Sequence, residues 1–244
     1  MKHLVFVHGF MGGGDQWASQ EPLSEVRRLV RLDLPGFGRN AHLEPIGSIE
    51  GFAVWALGHL SEIGVDRFDL IGHSMGGMIV QEMVRLAPER VERLILYATG
   101  ARGILPGRFE PIETSMKRAE EDGATATARR ISATWFLERE AAPAYSDCAA
   151  IAEKSGLGAI LAGLAAMRDW SGEAELRNIP IETLVLWGDR DRTYDWSQIE
   201  LLWKSIPKSH LAVVPDCAHA VHMERPWLFN RIVSDFLEGA CTGE

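Results

Sequence analysis

One serine of the 244-residue chain stands in Gly72-His73-Ser74-Met75-Gly76-Gly77, where an apolar β-type run gives way to a helical pattern starting at Met75. A Gly-x-Ser-x-Gly turn is sharp, and a Cβ on either flanking glycine would collide with neighbouring backbone. Ser74 is therefore expected just beyond a strand end, at a helix N-terminus, with its hydroxyl exposed. A serine hydroxyl is a weak nucleophile at neutral pH; it needs a base, and the base needs an acid to orient it. Both stand downstream in the order Ser, Asp, His. Gly188-Asp189-Arg190-Asp191 follows one apolar run, and Asp216-Cys217-Ala218-His219 follows the next. His219 is read as general base and Asp191 as the acid fixing its tautomer, with Asp189 and Asp195 as rivals. His222 forms His219-x-x-His222 but lacks the glutamate of H-E-x-x-H and a third ligand, so packing is its expected role and no metal is implied.

Acyl transfer also needs donors for an oxyanion. His8-Gly9-Phe10-Met11-Gly12-Gly13-Gly14 follows the first apolar run, and its glycines let backbone N–H groups point inward. The donors expected are the backbone N–H groups of Phe10 and Met75. The same glycines match neither G-x-x-x-x-G-K-[ST] nor G-x-G-x-x-G, which excludes a nucleotide loop. Phe10, Met11, Met75 and Met78 imply a largely apolar, uncharged pocket, with Trp135 and His73 as further candidates for its wall.

Positioning these residues requires an α/β sheet. Mostly continuous apolar runs at 3–7, 29–34, 67–72, 93–98, 182–187 and 210–214 suit parallel strands covered on both faces. Helical spacing between them, as in 48–64, 75–87 and 226–238, gives the alternation of a parallel sheet with right-handed crossovers. From about 101 to 177 there is no strand pattern but helical ones over 112–121, 124–138 and 157–166. The expected organisation is a core of residues 1–100 and 178–244, with 101–177 as a helical cap over one end of the sheet.

Composition removes other classes. Apolar residues are 46% and charged residues 24%, ordinary for a globular chain. The net charge of −9 repels phosphate backbones and anionic lipid, so neither nucleic acid nor membrane is an expected partner. Cys148, Cys217 and Cys241 are widely spaced and show no C-x-x-C pairing. With no signal-peptide pattern ahead of the first strand, a reducing, cytoplasmic location is expected.

Five motifs in order, His8-Gly9-Phe10, Leu32-Asp33-Leu34-Pro35-Gly36-Phe37-Gly38, Gly72 to Gly77, Trp187-Gly188-Asp189-Arg190-Asp191 and Ala218 to Pro226, resemble those of the α/β-hydrolase fold superfamily. On that resemblance Ser74, Asp191 and His219 match the triad positions, and Phe10 and Met75 the oxyanion positions. Members usually carry a β-hairpin before the His-Gly strand, for which this chain has no residues, so six strands are expected. A serine carboxylesterase is implied, acting without a cofactor on a small-molecule ester, as monomer or dimer. The opening motif also resembles menaquinone-pathway synthases, whose arginine four residues after the serine is here Met78. The elbow is similar to that of meta-cleavage C–C hydrolases, which carry Asn where this chain has His73 and Trp where it has Ala220. Enol-lactonases are a further neighbour. Plant hormone receptors of similar fold retain a triad and act as ligand sensors, a reading of another class.

Overall fold

The computed structural model describes residues 1–104 and 108–239, so Cys241 lies outside the described residues. Six strands, β1 (His3–Val7), β2 (Arg28–Arg31), β3 (Phe68–His73), β4 (Val91–Tyr97), β5 (Thr183–Gly188) and β6 (Ser209–Val214), form one sheet in the order β2-β1-β3-β4-β5-β6. Every neighbouring pair is parallel. This is the six-stranded parallel sheet expected from the apolar runs. The order reverses between β2 and β3 around β1, so the loops after β1 and β3 diverge there and leave a crevice at the strands' C-terminal ends.

Alternation along each strand divides the core in two. Val5, Val7, Leu70, Leu94, Leu96 and Val185 face one layer of helices, α1 (Ile49–Glu62), α2 (Met75–Leu86) and α7 (Trp196–Ser205). Leu4, Phe6, Ile71, Ile95, Leu184 and Leu186 face the other, closed by α9 (Pro226–Glu238) and a 3-10 segment over Gly14–Glu25. Fully buried Trp17 anchors that second layer. Its ring lies 4.9 Å from Phe6, 4.6 Å from His222 and 6.3 Å from Phe229, centroid to centroid.

Between β4 and β5 lie four helices, α3 (Ile112–Asp122), α4 (Ala124–Ala133), α5 (Tyr145–Ala152) and α6 (Leu157–Arg168). One helical expectation changes here: the run read as 124–138 ends at Ala133. Thr134 Oγ1 donates to the Ile131 carbonyl at 2.6 Å, tightening the last turn, and residues 134–138 leave the helix axis. Their backbone groups are thereby freed for the core. The Trp135 carbonyl accepts from Ala220 N–H at 2.9 Å, and Arg192 donates to the carbonyls of Phe136 and Leu137 at 2.9 and 3.1 Å. Glu224, in the short α8 (Val221–Glu224), accepts from Leu137 N–H at 2.6 Å and from Ala218 N–H at 2.7 Å.

The segment is also fixed at α6. A Cβ on Gly163 would sit 2.9 Å from the Phe10 ring, so glycine lets α6 lie directly on the loop after β1. Helices α5 and α7 and the segment 14–25 had no legible period in the sequence; α7 starts at Asp195, whose carboxylate accepts from Gln198 N–H. No single described helix is long and apolar enough to cross a membrane.

Removing the anchor of the second layer tests this account. Trp17→Ala is expected to cost about 3–5 kcal/mol of unfolding free energy, as for other fully buried large aromatics. Chemical denaturation would measure it, and a loss under 1 kcal/mol would contradict the packing described.

Candidate active site

Ser74 follows β3 with φ 55° and ψ −120°, a backbone conformation that costs a non-glycine residue about 1–3 kcal/mol. Hydrogen bonds and close contacts hold it there. Ser74 N–H donates to the Tyr97 carbonyl at 3.0 Å, and its carbonyl accepts from Gly77 N–H at 2.8 Å and from Thr99 Oγ1 at 2.7 Å. A Cβ on Gly72 would lie 2.4 Å from the Gly76 carbonyl, and one on Gly76 would lie 2.3 Å from the Val7 carbonyl. The glycines thus let α2 start against the end of β1. The same closeness brings the loop after β1 to the serine, because a Cβ on Gly9 would be 3.1 Å from Ser74 Cβ.

His219 and Asp191 meet from the loops after β6 and β5. His219 Nδ1 lies 2.8 Å from Asp191 Oδ2, and both side chains are sealed from solvent. The other Asp191 oxygen accepts from Thr193 N–H at 2.7 Å and Tyr194 N–H at 3.3 Å, so its donors come from its own turn. Of the three aspartates weighed from sequence, Asp191 alone bonds the histidine. Asp189 sits at the surface beside Arg190, and Asp195 starts α7 while accepting from Ser197 Oγ at 2.6 Å.

Behind His219 lies a buried nest of rings. The His219 carbonyl accepts from His73 Nε2 at 3.1 Å and from the Tyr97 hydroxyl at 3.0 Å. The same hydroxyl is 3.0 Å from His222 Nδ1 and accepts from His222 N–H at 3.1 Å. Burial pushes His222 down to about 3 and, with the neighbouring histidines, holds His73 well below the usual imidazole value. His8 falls to about 4, again through burial; its Nε2 accepts from Leu34 N–H at 3.0 Å while Nδ1 donates to the Gly9 carbonyl. These three rings are neutral scaffolding.

Ser74 opens into a narrow cleft of about 20 Å³. Phe10, Met78 and Trp135 line it, as does Ser74, together with Ile112, Ile131, Met167 and Tyr194. Met11 and His73, expected at the wall, do not border it. Met11 is fully buried in the core, and the His73 ring lies behind His219, tilted by 42° with centroids 4.6 Å apart. The expectation of an uncharged wall is also corrected, because the side chain of Arg108 lines the cleft. A larger cleft of about 160 Å³ between α2 and residues 172–180 holds neither serine nor histidine and lies apart from this chemistry.

Sequence reasoning missed Tyr194 and Arg108. Tyr194 touches all three expected residues: its ring stacks on His219 at 5.7 Å and 15°, its N–H donates to Asp191, and its phenol faces Ser74. Burial raises that phenol to about 12, keeping it a neutral donor. Its place, three residues after Asp191, was the available signal. Arg108 had none, since a single arginine between two elements looks the same whether it faces solvent or a cleft.

Residues 4–229 match the alpha/beta hydrolase family. The chain belongs to that family. This hydrolase is 29% identical to the putative 2-succinyl-6-hydroxy-2,4-cyclohexadiene-1-carboxylate synthase of Bacillus subtilis, over 96% of this chain and 89% of the relative. It is 28% identical to the 2-hydroxy-6-oxo-2,4-heptadienoate hydrolase of Pseudomonas putida, over 96% and 88%. Among solved structures, the enol-lactonase of Burkholderia xenovorans LB400 shares the hydrolase's fold with a TM-score of 0.88 at 24% identity, covering 97% of this chain and 91% of that one.

The neutral histidines set a pH dependence. Each stays unprotonated in the fold while its unfolded counterpart takes up a proton near pH 6.5, so its contribution is complete above that pH and is lost as pH falls towards about 4 for His8 and about 3 for His222. Thermal stability is therefore expected to drop on acidification below about pH 6.5. His222→Gln should make the drop shallower by up to about 1.4 kcal/mol per pH unit. Melting curves between pH 7.5 and 4.5 check this; an unchanged slope in the variant would contradict it.

Proposed function

We propose that this chain is a serine carboxylic ester hydrolase acting on small substrates through an acyl-enzyme on Ser74. The observation that carries the reading is the buried His219–Asp191 pair, 2.8 Å apart, formed at the same sheet edge as a serine held at φ 55°. In this reading His219 Nε2 takes the Ser74 proton as Oγ attacks the ester carbonyl. Backbone N–H groups of Phe10 and Met75 hold the oxyanion, the latter with the favourable end of the α2 dipole behind it. As the tetrahedral intermediate collapses, the C–O bond breaks and His219 returns the proton to the leaving alcohol. Water, deprotonated by His219, then attacks the acyl carbon; the acid leaves and Ser74 regains its proton. Asp191 keeps Nδ1 protonated and stabilises the imidazolium at each stage. Helices α3 to α6 act as the lid that finishes the pocket, and no cofactor takes part.

A second reading rests on one observation, the 28% identity to a protein named as a hydrolase of 2-hydroxy-6-oxo-2,4-heptadienoate. The same nucleophile and base could then serve C–C cleavage of a ring-cleavage diketone, or opening of an enol-lactone. A ligand-sensing role is the reading of another class.

Hydrolysis of 4-nitrophenyl acetate to octanoate, of a ring-cleavage diketone and of an enol-lactone separates these readings. Ester turnover that falls at least about 10³-fold in Ser74→Ala supports the proposal. Equal rates in wild type and variant would sink the mechanism, and activity on the diketone alone would replace it with C–C hydrolysis. Asp191→Asn is expected to lose at least about 100-fold, against under 3-fold for Asp189→Asn; the reverse order would refute the assignment of the acid.

A further inference from the structure

Arg108 is the only lysine or arginine among the described residues lining the Ser74 cleft, and no carboxylate bonds it directly. Its Nη1 donates to the Glu110 carbonyl and, at 3.1 Å, to Ser115 Oγ, which fixes one edge of the guanidinium. The guanidinium carbon lies 4.4 Å from the centre of the Phe109 ring, which supports one face. Both partners are uncharged. The carboxylate nearest in sequence, Glu110, is engaged elsewhere: it forms ion pairs with Arg118 and Arg130 and accepts from Ser115 Oγ at 2.7 Å. No ion pair among the described residues includes Arg108, and neither Nε nor Nη2 hydrogen-bonds a described residue.

A half-buried guanidinium with no direct counter-charge can form charge-assisted hydrogen bonds to an anion that a ligand brings. Burial holds Arg108 below the ordinary guanidinium value, against the opposing pull of Tyr194, Glu110 and Glu113. The rest of the wall is largely apolar, through Phe10, Met78, Ile112, Ile131, Trp135 and Met167, and its polar side chains, Ser74, Thr193 and Tyr194, are hydroxyls rather than carboxylates. A guanidinium held by one nitrogen and one ring face keeps the planar N–H pair that a carboxylate accepts bidentately.

We propose that Arg108 is a specificity-determining residue: the substrate carries a carboxylate a few bonds from the scissile carbonyl, and Arg108 receives it. This rests on the Ser74 reading above and narrows its substrate class from small esters in general to anionic ones. The carboxylate would also orient the ester, because a salt link at one end of a narrow cleft leaves few ways to present the carbonyl to Ser74.

The test compares charged and neutral substrates of matched length. On the acyl side, these are the mono-4-nitrophenyl esters of glutaric and adipic acids against 4-nitrophenyl pentanoate and hexanoate. On the alcohol side, they are butyrate esters of 3-hydroxypropanoic acid and of propanol, followed by pH-stat. The expected result is a ratio of kcat/KM, charged over neutral, of at least about 30 for one of the two sides. It should fall to within about 3-fold of unity in Arg108→Gln and recover in part in Arg108→Lys. A ratio near unity on both sides, in an enzyme whose neutral-ester turnover depends on Ser74, overturns this inference and leaves the esterase reading intact. A readout independent of turnover uses the Ser74→Ala protein: monomethyl glutarate should raise its Tm more than methyl pentanoate does, and Arg108→Gln should abolish the difference. Equal shifts with Arg108 present would overturn the proposal whatever reaction the enzyme performs.

Discussion

The first turn of α2 lies against the end of β1 so closely that a methyl group on Gly76 would come within 2.3 Å of the Val7 carbonyl. Most of the candidate site depends on that contact. It fixes where α2 starts and thus forces Ser74 into its left-handed conformation. It also places the loop after β1 beside the serine. The strain is local and small, about 1–3 kcal/mol, and the sheet can bear it because the hydrogen bonds from Gly77 and Thr99 and to Tyr97 over-determine the turn. A two-layer core on both faces of the sheet supplies the rigidity from which a strained residue can be held.

Around the histidine the structure relies on neutrality. A charged ring at His73 or His222 would sit beside His219 and oppose the imidazolium that the proposed acyl transfer requires. Burial removes those charges, and the Tyr97 hydroxyl and His73 Nε2 then fix the His219 main chain as ordinary dipoles. The nest therefore orients His219, the proposed base, while leaving its Nδ1 to Asp191.

The sheet was legible because parallel strands covered on both faces must be apolar almost throughout, and all six runs showed it. Ser74, Asp191 and His219 were legible because each closes a strand and belongs to a short pattern. Elements without a period were not: the 3-10 segment carrying Trp17 contains Pro22 and no helical repeat, and α7 was read only as a rival acid at Asp195. The helix read as reaching 138 stops at Ala133 because backbone bonds to Ala220, Arg192 and Glu224 compete for residues 135–137, and these contacts span 50 to 90 residues of sequence. The cleft wall was the hardest part. Whether Met11 or Arg108 faces a cavity depends on packing across elements, which side-chain type alone does not encode.

The anchoring of residues 135–137 has a consequence for how such a chain can change. Two loops of the sheet, those after β5 and β6, hold that stretch, so its backbone is part of the same unit as His219 and Asp191 and can vary little without disturbing them. Arg108 comes from a different stretch, before α3, with no hydrogen bond to those loops. On the function proposed above, reactivity and selectivity are written in separate segments of the polymer. On that proposal, substitutions near position 108 would retune what enters while the reacting groups stay in register, and a single scaffold would become a ready source of enzymes with one chemistry and many substrates.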